Sequence, residues 1–338
     1  MDWAFIVQII SDICTIIGQG VYLLATGIVE SLYHFFFPYY KSLSDDVILV
    51  TGGGGGIGRL MLIDFAKYCP NLIAWDVNKA GLDETAEMVK SQTGCTVRTY
   101  VVDLRSRDDV FEAAKKVMND VGRRVTVLVN NAGIVSAKPL LQLKPTEIEN
   151  TFKVNILSHF YTIQAFLPYM IGEKSLPGAQ PETPRGHIVS VASVAGEIPA
   201  LGLSDYCATK AAALSLMDTL ELELYEMKLG DRIHLTSIMP FFMDTKLFAG
   251  CKPEFQWLFP IVPATVCANR IVEAVRKNDR AVFVTGRYAV LPLMKRFLPP
   301  RTVRGLYTLV GAEKFSSQLL EEREASAKRE AAAESKTK

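Results

Sequence analysis

Seven short runs of β-branched and aliphatic residues, Val47–Val50, Leu72–Trp75, Val97–Val102, Val125–Val129, His187–Val191, Ile233–Ile238 and Ala281–Val284, alternate with helical stretches over about 240 of the 338 residues. Strand–helix alternation of this kind predicts an α/β domain with a parallel, doubly wound sheet. No internal repeat interrupts it.

The first run leads into Thr51-Gly52-Gly53-Gly54-Gly55-Gly56-Ile57-Gly58, followed by a helix predicted over Arg59–Tyr68. Glycines let backbone N–H groups and a helix N-terminus approach a pyrophosphate with no Cβ in the way. Asp76 closes the second run, twenty residues beyond Gly56. A carboxylate there accepts hydrogen bonds from both ribose hydroxyls of NAD and repels the 2′-phosphate of NADP. Taken alone, Asp76 reads equally as a turn residue before Asn78-Lys79, and Lys79 leaves room for NADP.

Tyr206-Cys207-Ala208-Thr209-Lys210 puts a phenol and an ammonium one helical turn apart on one face. A nearby ammonium is expected to lower the phenol's pKa from its usual value near 10, as a general base for an alcohol requires. Ser193 stands thirteen residues before Tyr206, at the end of the run His187–Val191. Ligands of open α/β sheets sit at such strand ends.

With these residues in place the sequence resembles the short-chain dehydrogenase/reductase family over roughly residues 45–290. In order it carries TGxxxGIG at Thr51–Gly58, the acidic Asp76, Asp103 after the third strand, Asn130-Asn131-Ala132-Gly133 after the fourth, Asn155 in the next helix, then Ser193, Tyr206 and Lys210. The resemblance implies a Rossmann-like fold and assigns roles. Tyr206 is then the acid/base, Lys210 holds the nicotinamide ribose and tunes Tyr206, Ser193 binds the substrate oxygen, and Asn155 holds a water in the proton relay. Thr51, Gly52, Gly56, Ile57 and Gly58 form the pyrophosphate loop, Asp103 contacts adenine, and Asn131, Ala132 and Gly133 line the cofactor cleft. Pro240 and Thr245, after the sixth strand, complete the cofactor set. Met239-Pro240-Phe241 departs from the family's Pro-Gly there, which weakens the implied backbone contacts to the carboxamide. A second departure is the long stretch Gly172–Arg185 with Pro177, Pro181 and Pro184, read as an exposed insertion. Seen singly, Asn131 is a turn residue, Asn155 a helix-packing amide and Asp103 a strand-end cap.

The two ends differ from this neutral middle. The net charge of +1 resolves into −3 for residues 1–40, zero for 41–287 and +4 for 288–338, which excludes a strongly basic nucleic-acid binder. Ile13–Val29 is seventeen uncharged residues, followed by Tyr33, Phe35, Phe36, Phe37, Tyr39 and Tyr40. That is the lower limit of a spanning helix with an aromatic belt. Gly18, Gln19 and Gly20 also permit a bend within one leaflet. No basic n-region precedes the segment, so it reads as a retained anchor, with Lys41 placing the following residues in the cytosol. Residues 289–312 carry Lys295, Arg296, Arg301 and Arg304 amid Leu, Phe and Tyr, suited to anionic headgroups or to a partner in a homodimer. Glu321–Lys338 reads as a solvated charged tail. Six scattered cysteines and four histidines indicate neither a disulfide framework nor a metal site.

After Pro240, Phe241, Phe242, Met243, Leu247, Phe248, Phe255, Trp257, Leu258 and Phe259 imply a hydrophobic substrate, or a membrane or dimer contact. These ends resemble the membrane-bound branch of the family, with its microsomal retinol dehydrogenases and lipid-droplet 17β-hydroxysteroid dehydrogenases. The expectation is an NAD-dependent oxidoreductase of a lipophilic alcohol (retinol, steroid or fatty-acid-derived), on endoplasmic reticulum or lipid-droplet membranes. Its rivals are a non-catalytic NAD-binding scaffold and an NADPH-linked carbonyl reductase of lipid synthesis.

Overall fold

A computed structural model describes residues 3–176, 183–245, 247, 250, 253–312, 314, 317–318, 321–322 and 325. Most of the charged tail, the middle of the Gly172–Arg185 insertion, Phe248 and Cys251 therefore lie outside the described residues. The chain divides into two units, residues 1–41 and 42–338, each described by itself.

The first unit is one uninterrupted helix, α1 (Trp3–Phe36). At 1.5 Å per residue its 34 residues reach about 51 Å, twice the seventeen-residue stretch read from the sequence. Gly18 and Gly20 do not break it, because the flanking aliphatic residues continue the helix on both sides. Its polar side chains are satisfied locally. Gln8 Nε2 donates to Asp12 Oδ1 at 2.8 Å, and the hydroxyls of Thr15 and Thr26 donate to the carbonyls of Ser11 and Tyr22, each at 2.9 Å. Phe5–His34, with mean hydropathy 1.5 and its apolar side chains exposed, is long and apolar enough to cross a membrane.

The second unit is a seven-stranded, wholly parallel sheet of β1 (Ile48–Thr51), β2 (Leu72–Asp76), β3 (Val97–Val101), β4 (Val127–Asn130), β5 (Gly186–Val191), β6 (Ile233–Met239) and β7 (Ala281–Phe283) in the order β3-β2-β1-β4-β5-β6-β7. Every residue of β1 and β5 is buried, so alternate side chains feed two separate layers. Ile48, Val50, Leu72, Ala74, Val127 and Val129 face α2 (Gly56–Phe65), α3 (Lys79–Thr93) and α8 (Ala264–Lys277). Leu49, Ile73, Trp75, Leu128 and Ile188 face α4 (Arg107–Val121), α6 (Ser158–Met170) and α7 (Ser204–Glu226). Trp75 packs on Phe166 across that second layer, with ring centroids 5.6 Å apart.

The helix α2 begins at Gly56, three residues before the predicted start. Glycine is a poor helix former, so propensity alone delays the start. The tight turn at Gly52 and close packing at Gly58 over-ride that preference. Between β4 and α6, α5 (Pro145–Phe152) passes into a wide π-type turn, Lys153–Leu157, which carries Asn155. Beyond β7 the chain forms α9 (Val290–Phe297) and α10 (Pro300–Leu309).

Candidate active site

The strand order reverses between β1 and β4, and crevices outside the carboxyl ends of strands at such points hold ligands. The loops after these two strands are stitched together. Thr51 Oγ1 accepts from the N–H groups of Asn131 at 3.0 Å and Ala132 at 3.2 Å, and Asn131 Nδ2 donates back to the Thr51 carbonyl at 2.8 Å. Gly52 turns the chain with φ +68°, and a Cβ at Gly58 would lie 2.1 Å from the Gly52 oxygen. Both positions therefore require glycine. Cβ atoms on Gly55 and Gly56 would meet nothing within 4 Å, and Gly55 offers no side chain to cap the helix. The first N–H groups of α2 thus face an open cradle that fits the diphosphate of a dinucleotide.

Asp76 stands at the rim of this cradle. Its carboxylate accepts from Gly54 N at 3.0 Å and Asn78 N at 2.9 Å. The cations nearby are committed elsewhere: Arg59 bonds the Gly54 carbonyl at 2.8 Å and Glu84 at 2.6 Å, while Lys79 pairs with Asp83 at 2.7 Å. Asp103 accepts from the guanidinium and the backbone N–H of Arg105, and the guanidinium holds its carboxyl below the usual range. In the chain alone it is therefore a strand-end cap.

Ser193 follows β5 and opens a single 3-10 turn, Val194–Gly196. Its Oγ accepts from Ala195 N at 3.1 Å and donates to the Pro240 carbonyl at 3.4 Å. Pro240 O also accepts from Val194 N at 2.9 Å, tying the end of β6 to the serine turn. Tyr206 and Lys210 occupy the first turns of α7, 4% and 3% exposed. The Tyr206 hydroxyl hydrogen-bonds Ser193. Lys210 Nζ donates to Val191 O at 2.7 Å and lies 5.5 Å from the Tyr206 ring centroid. Asn155 is fully buried. Its Oδ1 accepts from Ile134 N at 2.8 Å, and its Nδ2 donates to Ile134 O at 2.9 Å and Thr209 Oγ1 at 3.2 Å. A Cβ on Gly133 would sit 3.6 Å from both Asn155 Oδ1 and Lys210 Nζ, so Gly133 lies against both groups.

Burial sets the electrostatics. It pushes the Tyr206 phenol up, with the Ser193 hydrogen bond acting in the opposite direction, and brings Lys210 down to about 8. This corrects the expectation that Lys210 alone would depress Tyr206. Removing a phenolate from water outweighs the ammonium, whose hydrogen bond goes to Val191 O instead. Burial, aided by the charge of Lys210, also holds His159 down at about 3, so this core histidine is neutral.

Residues 46–254 match the family model described as short chain dehydrogenase. The chain belongs to the short-chain dehydrogenase family. It is 37% identical over 280 residues to estradiol 17-beta-dehydrogenase 11 of Pongo abelii, covering 82% of this chain and 88% of the relative. It is 34% identical over 247 residues to human epidermal retinol dehydrogenase 2, covering 73% and 76% of the two chains. In fold it is similar to a short-chain dehydrogenase/reductase from Burkholderia phymatum solved in complex with NAD, with TM-score 0.65, 22% identity and coverage of 76% and 94%. As a member of this family it is an oxidoreductase acting on CH–OH groups, with a nicotinamide dinucleotide as cofactor.

Beyond β6 the chain is rich in packed aromatic rings. Phe241 packs on Phe242, Tyr288 and Phe259 at centroid distances of 4.1, 4.7 and 5.8 Å, in a cluster that includes Val194. Leu247 packs against the cluster containing Tyr206, whereas Trp257 is 76% exposed. Thr245 is near this wall, its N–H donating to Met243 O at 3.0 Å. Sequence reasoning missed Thr209, which holds the Asn155 amide, and Asp205, which accepts from Thr151 at 2.9 Å. Both recur on the buried stripe of α7 with Tyr206, Lys210 and Ala213, and that spacing was the signal available. Lys295, read from the sequence as a headgroup- or dimer-contacting cation, also donates from Nζ to the Glu197 carbonyl at 2.6 Å.

Proposed function

We propose that the chain is a membrane-attached, NAD-dependent dehydrogenase that interconverts a lipophilic alcohol (retinol, steroid or fatty-acid-derived) and its carbonyl. The meeting of Ser193, Tyr206 and Lys210 at the carboxyl end of β5 carries this reading. Bound in the glycine cradle, the nicotinamide dinucleotide supplies the hydride acceptor or donor. Ser193 Oγ binds the substrate oxygen and stabilises charge that develops on it. Tyr206 Oη takes the hydroxyl proton in oxidation and returns it in reduction. Lys210 favours the phenolate, and Asn155 holds a water in the proton relay. Burial excludes bulk solvent from all four groups.

The carboxylate of Asp76, with Arg59 and Lys79 already paired, supports NAD over NADP. The aromatic wall and the kinship to dehydrogenases named for estradiol and retinol support a lipophilic alcohol. The apolar helix α1 supports attachment to endoplasmic reticulum or lipid-droplet membranes, and Lys41 after it supports a cytosolic catalytic unit. The exposed Leu293, Phe297 and Leu309, beside Arg296, Arg301 and Arg304, suit an anionic lipid surface.

The test is NAD-linked oxidation of retinol and estradiol by the full chain in membranes. Tyr206→Phe lowers turnover by about 10²–10⁴ and leaves NAD affinity unchanged. Equal turnover in that variant overturns the mechanism, and a clear preference for NADP overturns the role of Asp76.

A further inference from the structure

The segment Glu197–Leu203, between the serine turn and α7, is held from outside the catalytic sheet. Leu201 N–H donates to the hydroxyl of Tyr307, on α10, at 2.9 Å. Lys295 Nζ, on α9, donates to the carbonyl of Glu197 at 2.6 Å. The two ties come from separate helices, 106 and 98 residues away in sequence, and grip the segment near its two ends. Within the segment, Ala200 and Leu203 pack in the cluster that contains Tyr206, while Ile198 packs in the cluster that contains Val194 and Leu291. Leu201 is 48% exposed and Lys295 is exposed as well, so neither tie serves to bury core. Ser193 and Tyr206 have no connection along the chain other than this segment, and a pair of reacting oxygens tolerates only about 0.5 Å of misplacement.

We propose that Tyr307 and Lys295 are positioning residues: by clamping Glu197–Leu203 they hold the Tyr206 oxygen against Ser193 and make the C-terminal helices part of the alcohol site. This rests on the reading of Ser193 and Tyr206 as the reacting pair. A loosened segment weakens the Ser193–Tyr206 hydrogen bond. With the Ser193 proton turned from the Pro240 carbonyl to the Tyr206 oxygen that bond favours the phenolate, so weakening it moves the acid limb of the oxidation profile to higher pH.

The test uses the full chain carrying Tyr307→Phe, Lys295→Met, both together, and Lys295→Arg, which keeps a donor. For the double variant, kcat/KM for estradiol oxidation is expected to fall about tenfold, corresponding to loss of about 1.4 kcal/mol of transition-state stabilisation. Its acid limb is expected to shift alkaline while the Kd for NAD stays unchanged, and Lys295→Arg is expected to resemble the parent. An unshifted pH profile with kcat/KM within twofold of the parent overturns the clamp, as does an equal loss of NAD affinity. Hydrogen exchange reads the same clamp without turnover. Leu201 and its neighbours exchange faster in Tyr307→Phe if the tie holds them, and unchanged protection overturns the proposal. A parent chain that oxidises no alcohol, with the exchange difference present, defeats the dehydrogenase reading and leaves the clamp as a contact with no catalytic role, which also overturns the proposal.

Discussion

The proposed cofactor side of the cleft is made of backbone, and the proposed substrate side is made of side chains. On the first side Gly52, Gly58, Thr51 and Asn131 fix the loops by contacts of 2.8–3.2 Å or by space that excludes a methyl group. On the second, Phe241, Phe259 and Tyr288 pack on one another at 4.7–6.0 Å, Phe241 edge-on to the other two, and one ring can replace another with modest loss. A diphosphate always presents the same oxygens, so a rigid backbone suits it. The carbon skeleton of an alcohol is recognised by area, and area can be rebuilt from different residues. The contrast also bears on the departure at Phe241, which stands where the family has glycine: the tie to the serine turn runs through the carbonyl of the preceding Pro240, which binds Ser193 and Val194.

The harshest test of the contrast is Gly58→Ala. Its Cβ would lie 2.1 Å from a carbonyl oxygen, so backbone must move, at a cost of about 3 kcal/mol, and NAD affinity should fall about 100-fold. Isothermal titration checks it, and near-parental affinity would break the claim that this side is backbone-built. A second test is pH. Burial keeps the phenol of Tyr206 protonated, so kcat/KM for oxidation should rise up to about tenfold per pH unit through neutrality. It should level off near 8, where Lys210 loses its charge. Carbonyl reduction, which needs the phenol as donor, should show the opposite slope. Because the folded pKa of Lys210 lies below 10.5, the unfolded chain binds more protons between about 8 and 10.5, and this group's contribution to stability rises with pH across that window. Next in size, Asp76→Asn should raise the NADP-to-NAD ratio of kcat/KM roughly tenfold, by removing a charge that opposes the 2′-phosphate. The mildest change, Phe259→Leu, should raise the KM for estradiol about threefold with the KM for NAD unmoved. A matching change for NAD would erase the distinction between the two sides.

The seven strands are legible in the sequence to within one or two residues because central parallel strands such as β1, buried on both faces, read as apolar runs, and the partly exposed edge strand β3 is marked by its valines. The convergence of Tyr206, Lys210 and Ser193 is legible for a related reason: one helical turn and one strand end leave the chain little choice of where to put them. The start of α2 at Gly56 escapes a reading by propensity, which penalises glycine without knowing what packs on it. The raised phenol of Tyr206 also escapes, since spacing carries charge neighbours but not depth of burial. The tie from Lys295 to Glu197 escapes as well, because the only context that the sequence supplies is immediate neighbours, and this acceptor is 98 residues away.

The stitch between Thr51 and Asn131 spans 80 residues and joins strands that are neighbours in the sheet but not in the chain. Long-range pairings of this kind form late, because a large loop must close before they gain anything. During synthesis, β1 and its glycine turn emerge first yet have no second wall until the residues of β4 arrive and dock beside them. Competence to hold a dinucleotide is therefore acquired only by chains that have placed β1 between β2 and β4. A ligand that binds only such chains draws the folding equilibrium toward the correct threading, in proportion to its concentration.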